Sequence, residues 1–347
     1  MMPTARSILA QSIVVGLPGP LAGDRELRLV GGEGLGGVIL FSRNVESPAQ
    51  VWELNYRLRR AAAEAERLPL FVMVDQEGGS VARLHEPFCD GPELAKLGAA
   101  SEQELINHGA RLGRELKAAG FNWNLAPVLD VNAVAHGIMA RRSLGEDPET
   151  VAGLGAAFIA GQQGSGCLAC AKHFPGLGRT TADTHRERPR VALSRSQLEA
   201  VEFKPFRRAA AAGVAGIMVC HAVFEALDPD HPASLSEAVI QGVLRNEFGF
   251  DGLVLSDDLE MGALAAEMEP DQAAVQAYLA GCDLVLVCQR ADLALAALDR
   301  LVAMAEAGEI PQERLWATYN RIQAAKSRLD ALPGDLAGLS AALNKKS

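Results

Sequence analysis

The chain has 347 residues, enough for one large α/β barrel or for two smaller domains. Hydrophobic residues make up 49% and charged residues 22%, a balance that supplies a sizeable core and excludes disordered and collagen-like classes. A net charge of −10 repels a phosphate backbone, and no basic stripe with interleaved aromatics offsets it, so no nucleic-acid partner is expected.

In chain order, Arg6 precedes Ile8-Leu9-Ala10, but Gln11 and Ser12 interrupt the apolar stretch and no small-residue cleavage site follows, so the segment reads as a first strand rather than a leader. Strand-like runs then fall at 12–15, 37–41, 70–74, 122–126, 167–171, 216–219, 252–255 and 283–287, separated by longer amphipathic stretches. Helix starts are marked by Ser47-Pro48 and Asp147-Pro148, and by two capping boxes, Ser194 with Gln197 and Ser234 with Glu237. Gly32-Glu33-Gly34-Leu35-Gly36-Gly37 satisfies the dinucleotide pattern, yet it precedes a strand instead of following one, so it reads as a helix-to-strand turn. Cys167 and Cys170 have C-x-x-C spacing inside an apolar run, with no second pair or histidine cluster, so core packing is expected and no metal. The six cysteines read as reduced thiols. No apolar run approaches the roughly 18 residues that span a bilayer, and a cytoplasmic protein without a membrane partner follows.

The alternation of strands and helices, with no Pro-, Gly- or Ser-rich linker, predicts a parallel α/β fold in one domain over 1–347, closing with helices at about 291–331 and a short tail. Ser42-Arg43, Asp75, Asp130, Lys172-His173, His221, Asp257 and Gln289 follow consecutive strands. In a TIM-type (β/α)8 barrel those ends converge on one mouth, whereas a doubly wound open sheet uses only a few of them. So many charged groups at strand ends favour the barrel.

Three segments carry chemistry. Residues 172–189 leave a strand end with no periodicity, and within them Asp183 and His185 are two apart, so an extended backbone puts both on one side, where the carboxylate can fix the imidazole tautomer. Gly252 to Met261 is a buried strand ending in Asp257-Asp258, of which the first continues toward the mouth and the second orients or caps. Asp75-Gln76-Glu77-Gly78-Gly79 with Arg83 offers a carboxylate for vicinal hydroxyls and a guanidinium fork; a local ion pair is the alternative.

Lys172-His173-Phe174-Pro175-Gly176, Asp183-Thr184-His185, Asp75-Gln76-Glu77-Gly78-Gly79 and Ser256-Asp257-Asp258-Leu259-Glu260-Met261 together resemble glycoside hydrolase family 3, in order and approximate spacing. The likeness runs from about Gly37 to Val287 and is greatest to the single-domain bacterial β-N-acetylglucosaminidases of peptidoglycan recycling. It implies a (β/α)8 barrel and a retaining reaction in which Asp257 is the nucleophile, His185 the acid/base and Asp183 its orienting partner. It also implies that Asp75, Arg83, Arg142, Lys172 and His173 bind the terminal sugar. The implied substrate is an N-acetylglucosaminyl-anhydromuropeptide, with no cofactor. A β-glucosidase or a β-N-acetylglucosaminide phosphorylase of the same family is the alternative; a catalytically silent sugar-binding barrel would need neither Asp257 nor the Asp183–His185 pair. Leu177 departs from the family's K-H-F-P-G-H-G, where histidine is usual, and Arg179 follows in the same loop.

Overall fold

A computed structural model of the protein describes residues 3–134, 137–180 and 189–344. Eight parallel strands close into a barrel: β1 (Ile13–Gly16), β2 (Gly37–Leu40), β3 (Phe71–Val74), β4 (Trp123–Asn124), β5 (Leu168–Phe174), β6 (Gly216–Val219), β7 (Leu253–Asp258) and β8 (Leu284–Val287). Each pairs with its neighbour in sequence, and β8 returns to β1 through Ile13 opposite Val285.

The strand sequences look uniformly hydrophobic because both faces are buried. Val14, Ile39, Phe71, Met73, Trp123, Leu284 and Leu286 fill the interior, while Ile13, Val15, Val38, Val72, Val285 and Val287 pack outward against the helices. Ser47 and Asp147 cap their helices as expected, accepting from the Gln50 and Thr150 N–H groups at 3.2 and 2.8 Å. The Ser194–Gln197 box is also formed.

Several elements differ from the sequence reading. Residues Ala5–Ala10 form a short helix capped by Thr4, not a strand, and Ile8, Leu9 and Ala10 are buried in it. Ser234 caps nothing: its hydroxyl lies 2.7 Å from His221 Nδ1, and Ser236 instead accepts from Val239 N–H at 3.2 Å. Strands β5 and β7 run on through Lys172-His173 and Asp257-Asp258, so these groups lie within strands instead of on turns. Beyond the expected C-terminal helices, Ala291–Glu306 and Gln312–Lys326, a further helix, Leu336–Asn344, occupies the supposed tail and buries Leu339.

At the amino ends of the strands, Ile322 and Ala325 of the Gln312–Lys326 helix join the interior cluster and plug the barrel. Lys326 follows them inside, donating to Gln11 Oε1 at 2.7 Å and Gly36 O at 2.8 Å, with its ammonium 4.6 Å from the Phe71 ring centroid. Polar and charged groups gather at the other end. Among the described residues no helix is long and apolar enough to cross a membrane.

Candidate active site

At the carboxyl ends of the strands lies a cavity of about 170 Å³, whose wall includes Asp75, Arg83, Arg142, Lys172, His173 and Asp257. A larger cavity, about 560 Å³, opens at the amino end between residues 213–215, 251–253 and the Gln312–Lys326 helix. It meets no strand carboxyl end, and the convergent charged groups of β3, β5 and β7 all face the smaller one. The mouth is therefore the site to be explained.

Its first wall comes from the residues after β3. Asp75 and Glu77 are two apart and converge on Lys172, whose ammonium donates to Asp75 Oδ1 at 2.6 Å and reaches Glu77 Oε1 at 2.7 Å. Gln76 between them turns the other way: its Oε1 accepts from the Arg83 and Leu84 N–H groups, and its Nε2 donates to Leu84 O at 2.7 Å. That clasp holds the segment carrying Arg83. Gly78 and Gly79 make the reversal with φ of +110° and +59°, and a side chain at Gly78 would begin 2.3 Å from Pro92 O. Arg83 Nη2 consequently stands 3.7 Å from Asp75 Oδ2, so the alternative of a local ion pair holds in its weaker form, and both groups still line the cavity.

The second wall is β5. Its pairing with β6 shifts between Ala171 and Phe174, a bulge of the kind that re-aims side chains. Here both Lys172 and His173 reach the mouth instead of alternating in and out; the peptide between them is cis. His173 Nδ1 lies 2.7 Å from Asp130 Oδ2, while its Nε2 faces Arg142 Nη2 at 3.3 Å. Arg142 grips Glu77 through two bonds of 2.8 and 2.7 Å, a charge-assisted fork with defined orientation.

Asp257 is partly exposed at the end of β7, and its Oδ1 accepts from Asp258 N–H at 2.9 Å. Burial pushes its carboxyl upward, but the His173 and His221 imidazoles, the Asp258 N–H and the Lys172 ammonium outweigh that and hold it below the usual aspartate value. Glu77 behaves alike: burial opposes ionisation, yet Arg142 and Lys172 keep it well below the carboxylate range. Lys172 is raised, since Asp75 and Glu77 overcome its own desolvation. Asp258 moves the other way, to about 6, chiefly through burial, with the Asp257 and Glu260 carboxylates adding to it. Its Oδ1 accepts from Glu260 and Cys288 N–H at 3.1 and 3.2 Å, which makes it an orienting group.

The structure thus brings together Asp75, Arg83, Arg142, Lys172, His173 and Asp257. Asp183 and His185 lie outside the described residues. Leu177, where the resembled motif usually has histidine, lines the cavity and donates its N–H to Asp130 Oδ1 at 2.6 Å. Two supports escaped the sequence reading. Glu77 was visible as the residue two after Asp75 in an extended stretch, and Asp130 as one of the strand-end charges, but neither had a partner to give it a role. An ionised carboxylate facing a cavity, with fixed cations and carboxylates around it, can attack an electron-poor carbon while its neighbours grip hydroxyls.

Comparison with known proteins agrees with this chemistry. Residues 21–325 match the glycosyl hydrolase family 3 N-terminal domain. A β-hexosaminidase of Nitrosomonas eutropha (strain DSM 101675 / C91 / Nm57) is 39% identical over 267 residues, covering 75% of each chain. The structure of a family 3 β-N-acetylglucosaminidase from Paenibacillus sp. str. FPU-7 superposes with a TM-score of 0.91 at 40% identity, over 94% of this chain; the match spans 63% of that protein's length, under two thirds of it. A β-N-acetylhexosaminidase from Beutenbergia cavernae DSM 12333 gives a TM-score of 0.86 at 32% identity, over 94% of this chain and 99% of that one. The chain belongs to glycosyl hydrolase family 3, as a (β/α)8-barrel glycoside hydrolase of the β-N-acetylhexosaminidase type.

Proposed function

We propose that the protein removes a terminal, non-reducing β-linked N-acetylglucosamine with retention, through a covalent glycosyl-enzyme, and that its substrates are N-acetylglucosaminyl-anhydromuropeptides of peptidoglycan recycling. The observation that carries the mechanism is Asp257: a strand-end carboxylate held ionised, facing the cavity beside Lys172 and His173. In the first step Asp257 attacks the anomeric carbon while His185, oriented by Asp183, protonates the departing oxygen. In the second the same histidine takes a proton from water, which releases the sugar and restores Asp257. Most retaining glycosidases use a second carboxylate about 5–5.5 Å away; an imidazole, whose unperturbed pKa is near 6.5, does that work here. Asp75, Arg83, Arg142, Lys172 and His173 hold the terminal sugar, and the Glu77 and Asp130 carboxylates fix those cations and that ring in place. All six cysteines are free thiols, which suits a reducing compartment and supports a cytoplasmic setting.

The decisive assay follows the anomer first formed from p-nitrophenyl N-acetyl-β-glucosaminide by proton NMR, with and without phosphate. The β-anomer is expected from the native protein, with no acceleration by phosphate. Asp257→Ala should lower kcat by about 10⁴-fold or more, the scale of losing one member of a catalytic unit. Near-normal turnover in that variant rules Asp257 out as nucleophile; a sugar 1-phosphate product makes the enzyme a phosphorylase.

A further inference from the structure

The stem of the segment bearing Asp183 and His185 is held by contacts that touch none of the reacting groups. Gly178 O accepts from Ala133 N–H at 3.1 Å, and a Cβ at Gly178 would lie 1.7 Å from Val131 O, so the backbone passes where only glycine fits. One residue on, Arg179 Nε donates to Glu202 Oε1 at 2.9 Å. Glu202 ends the helical turn Leu198–Glu202. Its side chain is 1% exposed, whereas that of Arg179 is 39% exposed.

This pair is not explained by stability. A buried carboxylate is costly unless both oxygens are engaged, and Glu202 Oε2 has no hydrogen-bond partner among the described residues. That oxygen instead abuts Gly176, where a Cβ would meet it at 2.9 Å. The carboxylate is thus wedged between one stem residue that must lack a side chain and another that supplies a guanidinium. At the other end of the segment, Val223 N–H donates to Pro189 O at 2.9 Å, and Arg190–Val191 pairs with Val223–Phe224. The segment is anchored on both sides, and the anchor nearer Asp183 is the Arg179–Glu202 hydrogen bond.

We propose that Arg179 and Glu202 are positioning residues for the acid/base: the wedged carboxylate sets where the chain leaves the barrel after residue 179, and hence how His185 meets the glycosidic oxygen. The inference rests on His185 being that acid/base. Its signature is selectivity for the leaving group, because only a substrate whose leaving oxygen needs a proton senses the placement of the acid.

The test compares kcat/KM for a β-1,4-linked N-acetylglucosamine disaccharide and for the 2,4-dinitrophenyl glycoside, whose leaving group needs no proton. Arg179→Ala and Glu202→Gln are expected to lower the disaccharide rate about tenfold, a fraction of the 10²–10⁴ that general acid catalysis supplies, and the dinitrophenyl rate by less than about twofold. Arg179→Lys should recover most of the loss. Equal losses on both substrates, or no loss on the disaccharide, overturn the proposal. His185→Ala is the separate control: if it shows no leaving-group selectivity, the acid/base reading itself falls. Should Glu202→Gln fail to fold, the half-exposed Arg179 and its lysine variant decide.

Discussion

The two ends of the barrel both bury charge, but they dispose of it differently. At the mouth, Lys172 spans Asp75 and Glu77, Arg142 closes on Glu77, and all four line the cavity. At the base, Asp283 is wholly buried and saturated: Oδ2 takes Val254 N–H and Arg245, while Oδ1 faces Arg321 at 3.3 Å and Arg314 at 3.6 Å. The same chemistry becomes a site or a rivet according to whether the groups leave bonding capacity turned toward a cavity. Buried ion pairs alone therefore do not mark function in this fold.

Breaking one pair at each end sharpens the contrast. Lys172→Met leaves Glu77 to Arg142 alone and Asp75 to the distant Arg83, and should cost about 3–5 kcal/mol of stability together with a sharply raised KM. Asp283→Asn should cost stability on a similar scale, about 3–5 kcal/mol, while kcat and KM stay within about twofold in whatever protein remains folded. Urea titration with parallel kinetics measures both; unchanged KM in the lysine variant, or a large kinetic effect in the other, would erase the distinction between mouth and base.

A smaller effect, of opposite sign at the two ends, is expected from pH. Burial holds the Lys326 ammonium well below its ordinary pKa, so the unfolded chain binds the extra proton and native stability rises with pH up to the unfolded lysine value, about 10.5. In Lys326→Met that component of the pH dependence disappears. Glu202, near the mouth, is raised to about 7 by burial, against the pull of Arg179. Its contribution is therefore complete below about 4.5 and lost as pH rises through about 7. The Tm of Glu202→Gln relative to the native protein should accordingly rise between pH 5 and 8, and a flat difference would show that this carboxyl is not desolvated.

How much of this was legible depended on whether a residue's role was local. Asp257, Lys172 and Asp75 could be found because a buried strand has one polar end and a barrel gathers those ends. Arg142 came from the resemblance alone, since its partner Glu77 is 65 positions away and its own stretch has no periodicity. The misplaced capping box has the same origin: Ser234 and Glu237 have the right spacing, but His221, two residues past β6, claims the serine hydroxyl. Likewise, Ile8-Leu9-Ala10 is too short to distinguish helix from strand by pattern; Thr4, whose hydroxyl accepts from Ser7 N–H, decides it.

The ammonium at the barrel's base bonds to a side chain 315 positions earlier. Until the ribosome has delivered residue 326, Gln11 Oε1 and the Gly36 carbonyl lack this donor and the lower opening lacks its plug. So nascent chains stopped short of the Gln312–Lys326 helix lack the plug, and the base of the barrel is completed only after every reacting group has already been made.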